Sequence, residues 1–329
     1  MSERARSTAL PMLDAVLQHR LVFITGKGGV GRTAVALALA LAAVRAGKRT
    51  LVVEVNPLGR LGEYLGDLTL TPEPTEITPE LAAATIAPAV IMEDFLAGML
   101  RIRALARRLL ESNTFRVVTA AAPGLEDFLT LVRIAEWEDE RVGFKRRRHR
   151  FDLVIVDAPA TGHSVPLLAT PGTLLKMLPF GPLTSTARDL ALLLGDSKRA
   201  AVTIVTRAEE MAVNETLELA TALMRIGVTL LPAVVNAVDP FRFTRPEGRR
   251  LRAEPPEIPP EWHPYLAVAR FSLARQRAAE RQIRRLTRAL PERPLCLPQA
   301  PAGKLTLAAL EPLADALAHP RSGSSRRVS

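Results

Sequence analysis

The sequence predicts an α/β fold, a mostly parallel sheet flanked on both faces by helices, and three observations carry that prediction. Short apolar runs recur: Leu21–Thr25 (LVFIT), Thr50–Val55 (TLVVEV), Asp152–Asp157 (DLVIVD), Ala200–Thr206 (AAVTIVT) and Leu230–Asn236 (LLPAVVN). They are rich in β-branched residues and lack the apolar–polar alternation of a half-exposed strand, so each reads as buried on both faces. Each is followed by a turn or helix signal, the order that builds a parallel sheet through crossover connections. The composition is that of a globular chain. Its 329 residues, 48% hydrophobic with 19 glycines and 26 prolines, suit one large domain or two modest ones and exclude a disordered or collagen-like chain.

Taken in order, residues 1–20 carry charges throughout, lack the apolar core of a signal peptide and read as an N-terminal extension. A single domain then spans residues 21–318. Glycines follow the first strand, and the Ala/Leu-rich stretch Ala34–Arg45 reads as the first sheet-covering helix. From about Pro79 to Glu140 no strand signal stands out, while Phe95, Met99, Ile102, Leu105 and Leu109 recur at helical spacing. Pro123-Gly124 opens a second helical stretch through Trp137. An α-helical insertion over about residues 79–140 is therefore expected. Met92, Met99 and Met177 read as core packing in preference to an adaptable apolar groove.

The charge-free span Ala158–Leu175 contains Pro159, Gly162, Pro166, Pro171 and Gly172, which argues against a membrane helix. The chain reads as cytoplasmic, with peripheral membrane association as the further location its charge suggests. Pro240–Pro264 reads as a surface excursion, Pro294–Leu297 as a weak last strand and Leu305–Ala318 as a closing helix. Residues 319–329 are small, polar and basic and read as a disordered tail. The lone cysteine, Cys296, excludes an internal disulfide and any CxxC metal or redox site.

Basic residues exceed acidic ones, 44 to 34, for a formal charge of +10, yet only six of the 44 are lysines. Arginines cluster at Lys145–Arg150, Arg242–Arg252 and Arg270–Arg288. On the stretch Arg275–Leu290, Ile283, Leu286 and Leu290 take one face and arginines the other. A solvated arginine face is the ordinary reading, with attraction to an anionic surface as the alternative. No aromatic interleaves Lys145–Arg150, and a nucleic-acid partner is not expected.

The chemistry is concentrated in Gly26-Lys27-Gly28-Gly29-Val30-Gly31-Arg32-Thr33, between the first strand and the first helix. That is the strand–loop–helix setting of a phosphate cradle. Its glycines let backbone N–H groups fold around a phosphate, and the helix N-terminus, entered at Ala34, adds partial positive charge. The expected ligand is ATP with Mg²⁺, and the fold class sharpens to a P-loop NTPase. Thr33 would offer its hydroxyl to Mg²⁺, and Asp157, ending an apolar strand, would hold the ion through water. The departure is Arg32, where G-x-x-x-x-G-K-[ST] places lysine. Arginine keeps the charge, but its longer planar fork is not an equivalent group.

Lys27, directly after the first glycine, marks the deviant form of this motif, and here the chain resembles the ArsA family of arsenite-efflux and tail-anchored-protein-targeting ATPases. The resemblance rests on GKGGVGRT, TLVVEVNPLGRLGEYLG (Thr50–Gly66), PGLEDFLTL (Pro123–Leu131), DAPATGHSVPLL (Asp157–Leu168), TRAEEMAVNETLEL (Thr206–Leu219) and the strand ending at Asn236. It implies an ATPase acting as a dimer, with Lys27 reaching the partner's nucleotide. It further implies that Gly162 in Thr161-Gly162-His163 senses the γ-phosphate and that Asn236 reads adenine. The family's catalytic aspartate corresponds to Asn56, whose amide cannot accept a proton. Glu54, two residues away on a strand, is spaced to share that face.

Arg32 and Asn56 together imply slow or partner-dependent hydrolysis. The family's zinc-binding CxxC and its arsenite-binding cysteines are absent. Three readings follow. The first is an ArsA-like targeting ATPase, working as a homodimer or as a heterodimer with a paralogue on a hydrophobic or membrane-associated client. The second is a non-catalytic subunit donating Lys27 to an active paralogue. The third is a ParA/MinD-like positioning ATPase on membrane or DNA, and the helical insertion and the Thr-Gly-His piece favour the first over it.

Overall fold

A computed structural model describes residues 11–55, 60–87, 90–93, 124–142, 148–177, 180, 182–253, 258–300 and 306–319. The first helical run of the expected insertion, Phe95–Leu109, lies outside the described residues, as do Asn56, Lys145 and residues 320–329.

Strands β1 (Leu21–Thr25), β2 (Thr50–Glu54), β3 (Thr75–Thr78), β4 (Leu81–Thr85), β7 (Leu153–Asp157), β8 (Ala200–Arg207), β9 (Val234–Val238) and β10 (Leu295–Pro298) form one sheet. Its order is β10-β9-β8-β1-β7-β2-β4-β3. Every pairing is parallel except β3 against β4. A small antiparallel ribbon, β5 (Arg141–Val142) with β6 (Arg148–His149), stands apart. The helices are α1 (Met12–Leu17), α2 (Arg32–Arg45), α3 (Leu61–Tyr64), α4 (Leu125–Asp139), α5 (Thr161–Met177), α6 (Pro182–Gly195), α7 (Glu210–Arg225), α8 (Arg245–Arg250), α9 (His263–Ala289) and α10 (Glu311–Ala318).

The apolar strands are explained by the two cores. Alternate residues point to opposite faces, so Val22, Ile24, Val52, Leu153 and Ile155 pack with α1, α2 and α10. Leu21, Phe23, Leu51, Val53, Val154 and Val156 pack on the other face with α4, α5, α6 and α7. Neither face is left to solvent, hence the largely apolar runs.

Several expectations change in detail. Leu81–Thr85 is a sheet strand, so helix does not begin at Pro79; α4 does open after Gly124, whose φ of 91° sets its entry. The N-terminal stretch contributes α1, with Met12 and Val16 buried against α2 and α10. Leu230–Asn236 divides into a single bridge at Leu230 and strand β9. Between them Pro232 lacks an N–H for a ladder, and its carbonyl accepts from the Thr203 hydroxyl at 2.8 Å. The last helical stretch runs through residues 308–310 as a 3₁₀ turn, and α10 starts at Glu311-Pro312, where proline suits the first turn. Met92 is buried in the core as expected, whereas Met177 is exposed and does not pack there; Met99 lies outside the described residues. Among the described residues no helix is long and apolar enough to cross a membrane.

One buried carboxylate ties three segments of this fold. Glu138 at the end of α4, 1% exposed, accepts from Arg20 Nε at 2.9 Å and Arg199 Nη2 at 2.5 Å. Removing one arginine leaves the charge only half compensated. Arg199→Ala is expected to cost about 1–2 kcal/mol, read as a lower urea midpoint with an unchanged slope.

Candidate functional site

The site lies at the carboxyl ends of β1 and β7, neighbouring strands in register at Ile24↔Asp157. Ligands collect at this edge in open α/β sheets, where chain connections diverge to either side. Here the chain leaves β1 for β2 on one flank and returns to β8 on the other. Between β1 and α2 the loop turns on three glycines of positive φ: Gly26 (152°), Gly29 (81°) and Gly31 (89°). Side chains are excluded at two of them. A Cβ on Gly26 would lie 2.1 Å from the Val205 carbonyl oxygen, and one on Gly31 would lie 2.3 Å from Asn236 Nδ2. Gly28 and Gly29 have open space around them. Val30 is buried, and Ala34 seats the first turn of α2 in the core.

Thr33 Oγ1 donates to Asp157 Oδ2 at 2.5 Å. The other carboxylate oxygen, Asp157 Oδ1, is buried and has no hydrogen-bond partner, and the same holds for the Thr25 hydroxyl on β1. Burial pushes the Asp157 carboxyl up from its ordinary value, while the Thr33 hydrogen bond and the Arg32 charge pull it back. Hard oxygen donors with an unmet acceptor suit a Mg²⁺ ion and its waters, so the residues present fit the implied group.

Arg32 does not extend freely from the loop. Its Nη1 donates to the backbone carbonyl of Ala158, the residue after β7. Lys27 Nζ pairs with Glu215 Oε1 on α7 at 2.5 Å, each side chain about a third exposed. The lysine that the resemblance sends across a dimer is therefore held within its own chain. Asn236 Nδ2 donates to the Val30 carbonyl at 2.9 Å, so this amide braces the phosphate loop. Gly162 sits in the first turn of α5, where an added Cβ would meet nothing within 4 Å beyond the helix's own backbone and its chain neighbours.

Glu54 is committed elsewhere. Its carboxylate accepts from the Arg60 and Leu61 backbone N–H groups at 2.8 and 3.1 Å, closing the entry to α3. Burial raises its pKa, with the Leu61 and Arg60 N–H groups opposing. It serves as a clasp for the entry to α3.

The sequence reading names Lys27, Arg32, Thr33, Asp157 and Asn236 as site residues, and the structure sets them on and around the phosphate loop. It missed Glu215 and the Ala158 carbonyl as their partners. Glu215 was legible only as part of the Glu209-Glu210…Glu215-Thr216 piece, and a backbone acceptor leaves no mark in a sequence.

Comparison with known proteins supplies the family. Residues 19–191 match the model of the ArsA family, described as anion-transporting ATPase. The chain is 30% identical over 224 residues to ATPase BagA of Mycobacterium tuberculosis, covering 66% of this chain and 64% of that protein. It is 27% identical over 237 residues to the arsenical pump-driving ATPase of Escherichia coli, 67% of this chain and 39% of that one. It is 28% identical over 177 residues to ATPase ASNA1 homolog 1 of Paramecium tetraurelia, 51% and 49% of the two chains. The alignment therefore spans less than two thirds of each relative's length. With the phosphate loop, the parallel sheet and a family match over more than half of its residues, the chain belongs to the ArsA family of anion-transporting ATPases.

Proposed function

We propose that this chain is a Mg²⁺-dependent ATP-binding protein that acts as a dimer on a hydrophobic or membrane-associated client, with intrinsic hydrolysis held low by Arg32 and Asn56. The observation that carries the reading is the engagement of Arg32 with the Ala158 carbonyl. A guanidinium tied to the backbone beyond β7 is withheld from the phosphates that a lysine ammonium would meet at this position. The N–H groups of Gly28 to Thr33 and the α2 N-terminus bind the phosphate chain. Thr33 and Asp157 hold the cation. Bound Mg²⁺ supplies charge neutralisation for phosphoryl transfer.

Lys27 and Glu215 give the dimer its control in this reading. Exchange of the Glu215 partner for a phosphate on the second subunit couples nucleotide binding to association. The relatives' arsenical role is not carried over, because Cys296 alone cannot form a soft three-thiolate site. A cytoplasmic protein reaching the membrane peripherally is the corresponding location.

The second reading, a non-catalytic subunit that donates Lys27 to a paralogue, is favoured by one observation: Lys27 stands paired with Glu215 in a chain whose loop carries Arg32 and whose resemblance sets Asn56 at the catalytic position.

Calorimetry with ATP and ADP in Mg²⁺, beside turnover and sedimentation, tests the proposal. ATP is expected to bind and drive dimerisation with slow turnover. Lys27→Ala is expected to keep nucleotide affinity within about threefold and to lose ATP-driven dimerisation, since its partner phosphate lies in trans. Absence of nucleotide binding overturns both readings.

A further inference from the structure

We propose that the groove between α8 and α9 binds an anionic amphiphile, a single hydrocarbon chain ending in a carboxylate or phosphate. The cavity holds about 410 Å³, within the size range of small-ligand sites. Its lining divides by chemistry. Phe243, Leu251, Ile258 and Leu266 supply apolar surface, and Arg242, Arg250 and Arg270 are the basic residues of the lining.

Arg270 Nε donates to the Leu251 carbonyl at 3.0 Å, which fixes the guanidinium at the wall. Its terminal nitrogens, and the side chains of Arg242 and Arg250, have no hydrogen-bond or ion-pair partner among the described residues. The lining carboxylate, Glu247, accepts from Thr244 N and Oγ1 at 2.7 Å at the entry of α8. Among the described lining residues, three arginines and one glutamate accompany the apolar side chains.

The walls are also held in place. Gln276 on α9 accepts from Phe243 N at 3.1 Å and donates to Phe243 O at 2.8 Å, pinning the loop before α8. Leu273 packs so closely on Gly248 that an added Cβ would meet its Cδ1 at 3.0 Å. Arg275 pairs with Asp239 at 2.8 Å behind that loop. A groove braced on both sides needs little ordering to receive a ligand.

The combination selects the ligand class. A neutral hydrocarbon would desolvate guanidinium groups without pairing them, and a small inorganic anion would leave the floor wet. A chain with one anionic head meets both demands, since arginine forks pair carboxylate and phosphate bidentately. The groove shares no residue with the phosphate loop and lies beyond the residues 19–191 matched by the family.

The test titrates the full chain with octanoate and decanoate below micelle formation, with inorganic phosphate and with decanol. Calorimetry and tryptophan fluorescence report binding, Trp262 being exposed at the start of α9 and Trp137 buried. Saturable one-to-one decanoate binding is expected, about fourfold tighter per added methylene and at least about tenfold tighter than phosphate or decanol. Arg242→Glu with Arg250→Glu, both on exposed residues, is expected to weaken it about tenfold or more and to leave ATP affinity unchanged. Leu266→Glu is expected to do the same from the apolar side. Flotation with phosphatidylglycerol vesicles distinguishes the sources: flotation displaced by decanoate assigns a lipid headgroup, and decanoate binding without flotation assigns a free acid. Decanoate affinity unmoved by the charge reversal, or no saturable binding to decanoate and no flotation, overturns the proposal.

Discussion

Replacing Arg32 by lysine and Asn56 by aspartate together is expected to raise ATP turnover on the order of a hundredfold, with Arg32→Lys alone giving about tenfold. The first change acts on the phosphates. Arg32 is anchored to the Ala158 carbonyl, and a lysine, with a compact head and three radially disposed donors, is released from that planar contact to reach an anion. The second change restores a group able to accept a proton from attacking water, which an amide cannot do. Glu54 is already engaged, each of its oxygens accepting a backbone N–H, from Arg60 and Leu61. The two effects should multiply if each restores a separate function of the site. Steady-state phosphate release with the four combinations checks this. A double variant no faster than the parent protein shows that the defect lies elsewhere, in dimer formation or in the client. Unchanged ATP affinity with higher turnover assigns the gain to the transition state.

The particular residues explain why some of this was legible in advance and some was not. β1, β2, β7 and β8 were readable because burial on both faces forces β-branched and leucine residues into continuous runs. β4, Leu-Ala-Ala-Ala-Thr, carries no such mark. Alanine is depleted in strands, and this strand exists because its backbone pairs with β2 from Thr50↔Leu81 to Glu54↔Thr85. The phosphate loop was readable because its glycines are required locally by positive φ and close approach. The braces around it were not. Asn236 meets Val30 across 206 positions of sequence, and Lys27 meets Glu215 across 188. The groove between α8 and α9 falls in a stretch legible only as proline-rich and basic, since its walls come from two helices that sequence spacing does not relate.

Gly26→Ala is expected to cost about 2–3 kcal/mol in stability and to weaken ATP binding by more than about tenfold. The clash is with backbone, so no rotamer change relieves it: the new Cβ would lie 2.1 Å from the Val205 oxygen and 3.1 Å from its carbonyl carbon. β8 cannot retreat cheaply. It pairs with β1 on one side, through Thr25↔Ile204, and with β9 on the other, through Val205↔Val234. The φ of 152° at Gly26 adds backbone strain for any L side chain. The loop must therefore move, and its N–H groups move with it away from the phosphate. Gly28→Ala is the control in the same loop, because Gly28 has nothing within 4 Å of an added Cβ and no positive φ. Its stability should change by no more than about 0.5 kcal/mol. Urea unfolding and ATP calorimetry on both variants separate the causes. A Gly26→Ala loss confined to nucleotide affinity would mean that the loop yields without strain. Equal stability losses in the two variants would mean that general loop stiffness, and not the approach to β8, makes glycine necessary at position 26.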